Sequence, residues 1–373
     1  MIEQPVSRVP KQATAYYFLL SLIGAALLMA LGFIREGVLV PASGNQVQLS
    51  VVCVSGFSWD RGIRLHQGGK LPFIEQLFRG KGSCGDIISS RSDPDPAIVA
   101  SLFTGCFPGK YSRYQEADLM HFIAPGPFQK PIWQELAARG QQCLVVGLAV
   151  ASGQEGSAAG AVAPGNTKRG SAVLTQKYLR RITGGARVPD DLLRVLQECV
   201  SSDLERTQQA VQALEANHAL HLFSYFQGLG RWQQRLSARA DALTEIERSA
   251  LIDNYYIFFD SILARLFSQC GSNGIFIVLS ERGNSKELPA PGNCFSPFSG
   301  DPAPGFFYAT GLHIRQGIEP LLIAPADLVP TLLYLTGSPL VNRLDGRVMI
   351  KLLEEHYYFK RKIIASTQLL PNE

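Results

Sequence analysis

The sequence predicts an α/β fold, a mostly parallel central sheet flanked by helices, preceded by one N-terminal transmembrane helix. Three observations carry this. From residue 48 onward, short β-branched runs alternate with helical stretches, the rhythm of β-α-β units. The runs are apolar throughout rather than alternating, as in strands buried on both faces. Residues 13–34, ATAYYFLLSLIGAALLMALGFI, form a run of 22 positions without a charge. At about 1.5 Å per residue, that run is long enough to cross the hydrocarbon core of a bilayer.

The rest of the composition agrees with an anchored globular domain. With 46% apolar and 18% charged residues among 373, the chain can bury a sizeable core. The net charge of +4 is mild, and no basic stripe interleaves with aromatic residues, which argues against a nucleic-acid partner. Arg8 and Lys11 precede the apolar run, whereas Arg35 is offset by Glu36. That asymmetry favours a cytoplasmic N-terminus and an extracytoplasmic main domain, periplasmic in a bacterium. The run exceeds the usual core of a signal peptide and lacks a clear small-x-small cleavage site, so a retained anchor is expected. The expected organisation is a cytoplasmic segment (1–12), the anchor (13–34), a linker (35–48), the main domain (49–356) and a C-terminal tail (357–373). The seven cysteines show no C-x-x-C pair, and an odd count leaves at least one thiol unpaired. Cys53 and Cys143 fall inside apolar strand-like runs and are expected to be buried.

Taken in order, residues 48–55 (QLSVVCVS) read as the first buried strand. Residues 70–80 are amphipathic at helical spacing, through Leu71, Ile74, Leu77 and Phe78, and stop at Gly80. A helix over 131–140 and a strand from Gln142 follow. Residues 152–170 are rich in Gly, Ala and Ser and read as a surface loop; they hold no G-x-x-x-x-G-K-[ST] phosphate cradle. A long polar helix spans 190–216, then a strand 219–226, a helix 251–267 and a strand 274–280. His218 and His221 stand three apart, a pair that more often serves structure than metal binding.

Residues 92–111, SDPDPAIVASLFTGCFPGKY, organise the rest. Asp95 precedes Pro96 at the start of an apolar helical segment, where unpaired N–H groups favour an anion. The segment then closes on a Thr-Gly-Cys-Phe-Pro-Gly turn. This pattern resembles the nucleophile segment of the alkaline phosphatase superfamily, in its type I phosphodiesterase/nucleotide pyrophosphatase branch. There a hydroxyl residue precedes a helix that runs into L-x-T-G-x-x-P-G-x-H-G. Leu102, Thr104, Gly105, Pro108 and Gly109 fit that frame, Tyr111 replaces its histidine, and Asp95 holds the nucleophile slot. Near the other end, Asp327, Pro330, Thr331 and the Asp345-Gly346-Arg347 turn resemble the closing D-x-x-P-T helix and D-G-R turn. The resemblance covers residues 51–353 and implies an alkaline phosphatase-like domain.

The same resemblance implies a two-cation site built at the strand ends. Its ligand slots are altered throughout. Ser55 replaces an aspartate after the first strand, Gly230 and Gln234 replace a D-x-x-x-H pair, and Glu281-Arg282 replace an Asp-His pair. Asp301 is the nearest match to the last histidine ligand. Ser55, Asp95, Gly230, Gln234, Glu281, Arg282 and Asp301 therefore form an expected vestigial site, with no metal cofactor and no confident catalytic residue. Arg282 is expected to offset Glu281, Asp95 or Asp301 where a cation once did. The resulting expectation is a membrane-anchored, inactive phosphodiesterase-like protein acting as a scaffold or accessory subunit among other membrane-protein subunits. Two alternatives stay open. One is an active phosphodiesterase, phosphatase or phosphoryl-group transferase using zinc or manganese; the other is a non-catalytic receptor for a glycan or lipid headgroup.

Overall fold

The computed structural model describes residues 47–79, 82–111, 130–148, 168–217, 220–283, 304–317, 321–360 and 365–366. The expected anchor and residues 1–46 lie outside them, as does Asp301. Among the described residues, no helix is long and apolar enough to cross a membrane.

Strand β1 (Gln48–Val54) is an interior strand of the main sheet. All seven of its residues are buried because the strand is covered on both faces. Val52 and Val54 enter one core layer, whereas Leu49, Val51 and Cys53 enter the other, following the two-residue period of a pleated strand. Two helices follow, α1 (Trp59–Gln67) and α2 (Pro72–Arg79), then strand β2 (Gly82–Ile87). Helix α3 (Asp95–Thr104) begins at Asp95 as the sequence predicts and ends at Gly105, whose φ of 74° supplies the left-handed cap. Helix α4 (Ile132–Ala137) and strand β3 (Cys143–Val146) complete the next unit.

Helices α5 (Lys168–Thr183) and α6 (Asp190–Ala216) lead into strand β4 (His221–Phe226). Helix α7 (Gly228–Ala238) and helix α8 (Glu245–Phe267) come next. Helix α8 starts earlier than its apolar pattern implies, because Thr244 and Glu247 form a reciprocal capping box. Strands β5 (Gly274–Leu279), β6 (Gly305–Gly311) and β7 (Leu321–Ile323) are followed by helix α9 (Leu328–Thr336). Strand β8 (Leu340–Val341), helix α10 (Glu355–Lys360) and strand β9 (Ala365–Ser366) end the fold. The boundary expected at 356 therefore falls inside α10, and β9 returns to pair with β8.

The seven strands β1–β7 form one sheet in the order β3-β4-β1-β5-β6-β2-β7. Only β6 runs antiparallel to its neighbours, so the expected mostly parallel sheet is observed. One face packs against α1, α2, α6, α7 and α8, and the other against α3, α4 and α9.

Buried polar groups serve this architecture. His221 Nδ1 accepts the Leu49 N–H at 3.1 Å, and its Nε2 lies 3.0 Å from Gln141 Oε1, which extends the β1–β4 pairing. Burial lowers the pKa of this histidine to about 4, so it is neutral and structural. Asp260 on α8 accepts the N–H groups of Phe73 and Ile74 at 3.0 and 2.9 Å and so caps α2 from another helix. The described cysteines 53, 84, 106, 143, 199 and 270 form no disulfide with one another. All but Cys270 are buried.

Candidate functional site

The two motifs that fit the phosphodiesterase frame best meet each other. Asp345 Oδ2 accepts the Phe107 N–H at 2.8 Å, and its Oδ1 pairs with Lys110 Nζ at 2.7 Å. The Asp345 N–H donates back to the Gly105 carbonyl at 2.9 Å. Asp327 Oδ1 in turn accepts the Arg347 N–H at 2.7 Å, and Thr331 Oγ1 accepts the Met349 N–H at 2.9 Å. Gly346 is required here, since a Cβ would fall 1.9 Å from the Ala326 carbonyl oxygen. Tyr111, in the histidine slot, is buried and hydrogen-bonded through its hydroxyl to Thr104 Oγ1. Burial raises its pKa and keeps the phenol protonated. These residues form a clasp between the α3 turn and the D-G-R turn.

The altered slots gather at the carboxyl ends of β1, β4 and β5, beside the start of α3. Glu281, just past β5, is 2% exposed. Its Oε1 accepts the Ser55 hydroxyl at 2.6 Å and the Tyr225 hydroxyl at 3.2 Å, while Cys53 Sγ lies 3.9 Å from Oε2. Burial raises the Glu281 pKa to about 7, and the nearby charge of Asp95 adds to the rise; the Ser55 and Tyr225 hydrogen bonds oppose it. The thiol of Cys53 is pushed well up by burial first and by Glu281 second.

Arg282 is turned the other way, toward the chain entering α3. Its Nη1 lies 3.3 Å from Asp95 Oδ1. Its Nη2 donates to the carbonyls of Ser90 and Asp93 at 2.5 and 2.7 Å, and its Nε lies 3.4 Å from Ser89 Oγ. A guanidinium carries five donors in a fixed fork, and here four contacts from that fork fasten one segment.

Gly230, in the first turn of α7, lies against Ser55. A Cβ at 230 would stand 2.5 Å from Ser55 Oγ and 3.0 Å from Ser55 Cβ. Across the same contact, a Cβ on Gly56 would stand 2.5 Å from Gln233 Oε1. Backbone therefore approaches backbone where the resemblance implies two aspartate ligands. Gln234 is exposed on α7, whereas its neighbour Gln233 is buried and reaches Gly56.

Ser55, Asp95, Gly230, Glu281 and Arg282 are thus brought into one cluster, and Gln234 is not. Sequence reasoning missed Cys53, Tyr225 and Gln233. The signal for Tyr225 is strand register, since it pairs directly with Cys53 across β1 and β4. The two-cation set implied by the resemblance does not fit these residues. An aspartate at 230 would collide with Ser55, and the carboxylate in the nucleophile slot already faces a guanidinium. Among the described residues of the cluster, one buried carboxylate held by hydroxyl donors remains as ligand chemistry, short of what two divalent ions need.

No family model matches the chain, and no curated protein matches its sequence. Solved structures do match in shape. A 2-O GAG sulfatase aligns with a TM-score of 0.53 at 12% identity, covering 83% of this chain and 74% of its own. Alkaline phosphatase PafA aligns with a TM-score of 0.54 at 11% identity, covering 84% of this chain and 100% of its own. The chain therefore has an alkaline phosphatase-like fold, shared with these sulfatase and phosphatase structures.

Proposed function

We propose that this chain is a membrane-anchored, non-catalytic relative of phosphate- and sulfate-ester hydrolases, serving as a scaffold or accessory subunit of a membrane-associated complex. The observation that carries this reading is the contact of Gly230 with Ser55, together with the commitment of Arg282 to Asp95 and the carbonyls before it. Hydrolysis in this superfamily needs cations to offset the charge of the ester and to activate the attacking group. Here the space beside Ser55 is filled by the α7 backbone, and the positive charge is spent on positioning a loop. A fold outlives its chemistry when core packing and site residues are separable, and the clasp, kept beside the altered slots, supports that reading. The apolar run at 13–34 supports anchoring in a bilayer.

The full chain, purified in mild detergent, tests this with 4-nitrophenyl phosphate, bis(4-nitrophenyl) phosphate and 4-nitrophenyl sulfate, with and without added zinc or manganese. Rates should equal those of Asp95→Ala under every condition. Turnover that a chelator abolishes and Asp95→Ala removes would establish a metal-dependent hydrolase instead. Native mass measurement of the detergent extract should show the chain bound to other membrane subunits. A solitary chain that binds a glycan or a lipid headgroup would replace the scaffold reading with a receptor.

A further inference from the structure

At the amino-terminal end of β5, on the side of the sheet away from Glu281, a second cluster forms between two segments. Residues His313–Arg315 follow β6, and residues Leu352–Glu354 precede α10. The Arg315 N–H donates to the Leu352 carbonyl at 2.8 Å, and the Glu354 N–H donates to the His313 carbonyl at 3.0 Å. Ile314 and Leu353 form an antiparallel bridge between them. Three side chains converge across this pairing. Glu354 Oε2 lies 3.7 Å from His313 Nδ1 and 3.4 Å from His356 Nε2. One ligand atom from each residue falls within 4.8 Å of the others.

Both imidazoles face the same carboxylate oxygen at separations close to the spacing of ligands around one ion. Donors at about 2.0–2.2 Å from a tetrahedral zinc sit roughly 3.3–3.6 Å apart, so the 3.4 and 3.7 Å pairs already have that spacing and the remaining pair, within 4.8 Å, has to draw closer. His313 is also held in place. Among the described residues it is the one non-glycine with positive φ, at 65°, a conformation that the surrounding structure must enforce. Tyr357 stacks on its ring with centroids 3.8 Å apart and planes 15° apart. The Tyr357 hydroxyl donates to the Leu335 carbonyl at 3.1 Å, which fixes the stacking ring to α9. Beside the cluster opens a pocket of about 320 Å³, lined by Cys270, Ser272, Gly274, Gly311, His313 and Glu354.

We infer that His313, Glu354 and His356 form a binding site for one zinc-class divalent ion, with a fourth coordination position directed to this pocket. Two neutral imidazoles and one carboxylate suit zinc or a similar first-row ion better than magnesium or calcium, which prefer oxygen donors. Three protein ligands with an adjoining pocket leave room for water or a small anionic ligand on the metal. The site is separate from the strand-end cluster around Glu281. The length of β5 lies between them, about 20 Å at roughly 3.3 Å per residue.

Tag-free full chain in detergent, loaded with zinc and dialysed, should retain one zinc per chain by elemental analysis. Cobalt loaded in its place should show the visible absorption of a low-coordinate site. His356→Ala, at a side chain 65% exposed and so harmless to folding, should weaken zinc binding by calorimetry at least about tenfold. Glu354→Gln should do the same, and His66→Ala should not. Absence of retained zinc would overturn the inference. So would zinc that survives His356→Ala or leaves with Glu281→Gln, the latter placing it at the other end of the sheet.

Discussion

Ser55 and Glu281 join the ends of two adjacent parallel strands through a 2.6 Å hydrogen bond from hydroxyl to carboxylate. The carboxylate is buried, and its pKa is raised from 4.5 to about 7. The sign of the linkage follows directly. A carboxyl group whose folded pKa lies above its unfolded value favours the folded state when protonated. Its contribution is complete below pH 4.5 and is lost as pH rises through about 7. Wild-type stability should therefore fall between pH 5 and pH 8 by on the order of 2 kcal/mol more than that of Glu281→Gln. Urea unfolding of both proteins at the two pH values measures this. Equal slopes with pH would show that Glu281 is already ionised in the folded state. Asp203, also buried with a pKa near 6, contributes alike to both proteins and cancels.

Gly230→Asp restores the residue that the fold family's metal site implies, and should fail to restore a site. The new Cβ would press on Ser55 at 2.5 Å, so the first turn of α7 must move away from β1. A loss of about 1–3 kcal/mol is expected, the usual cost of overpacking, despite the better helix propensity of a non-glycine residue. The double variant Ser55→Asp with Gly230→Asp should gain no zinc-dependent esterase activity. A melting temperature unchanged by Gly230→Asp would mean that this contact is slack.

Arg282→Met keeps much of the side-chain volume and removes every donor. The carbonyls of Ser90 and Asp93 lose their charged partner, which should cost about 1–3 kcal/mol. The ion pair contributes little of this, because Asp95 is 57% exposed. Asp95→Ala alone should therefore cost less than about 1 kcal/mol. Hydrogen exchange over residues 89–97 should accelerate in Arg282→Met and change little in Asp95→Ala. The reverse ranking would make the ion pair the main fastening.

Asp345→Ala should cost about 1–3 kcal/mol, since it leaves the Phe107 N–H without its acceptor and removes the partner of Lys110. Lys110→Ala should cost below about 1 kcal/mol, as expected for a half-exposed ion pair. Chemical denaturation of the two variants separates the backbone bond from the salt bridge. A larger loss in Lys110→Ala would invert that assignment.

Much of this architecture can be read from residue order, and the exceptions have physical causes. The central strands β1, β4 and β5 are legible because burial on both faces demands continuous apolar runs. Strand β2 is not, since its sequence GSCGDI reads as a turn. Its glycines are dictated by neighbours that only the fold supplies. A Cβ on Gly82 would meet the Tyr308 hydroxyl at 2.2 Å, and one on Gly85 the Leu321 carbonyl at 2.5 Å. Helix α1 is hidden in a similar way by Gly62 and by charged residues on its outer face. At the strand ends, Ser55, Gly230, Glu281 and Arg282 lie near one another, as their positions just past strands and at a helix start allow. Gln234 is exposed on α7, one residue of helix register from the buried Gln233, a difference that spacing along the chain does not reveal. Tyr225 reaches Glu281 only through register between β4 and β1, a pairing between residues distant in sequence.

The clasp of Asp345 on the turn after α3 bears on how distant relatives are recognised. The residues that carry the resemblance, in the turn after α3 and at Asp345, are fasteners joining two loops nearly 240 positions apart along the chain. Their contacts serve folding and involve none of the residues around Glu281. Likeness carried by such fasteners therefore reports a shared chassis, and the chemistry has to be asked of the strand-end residues separately.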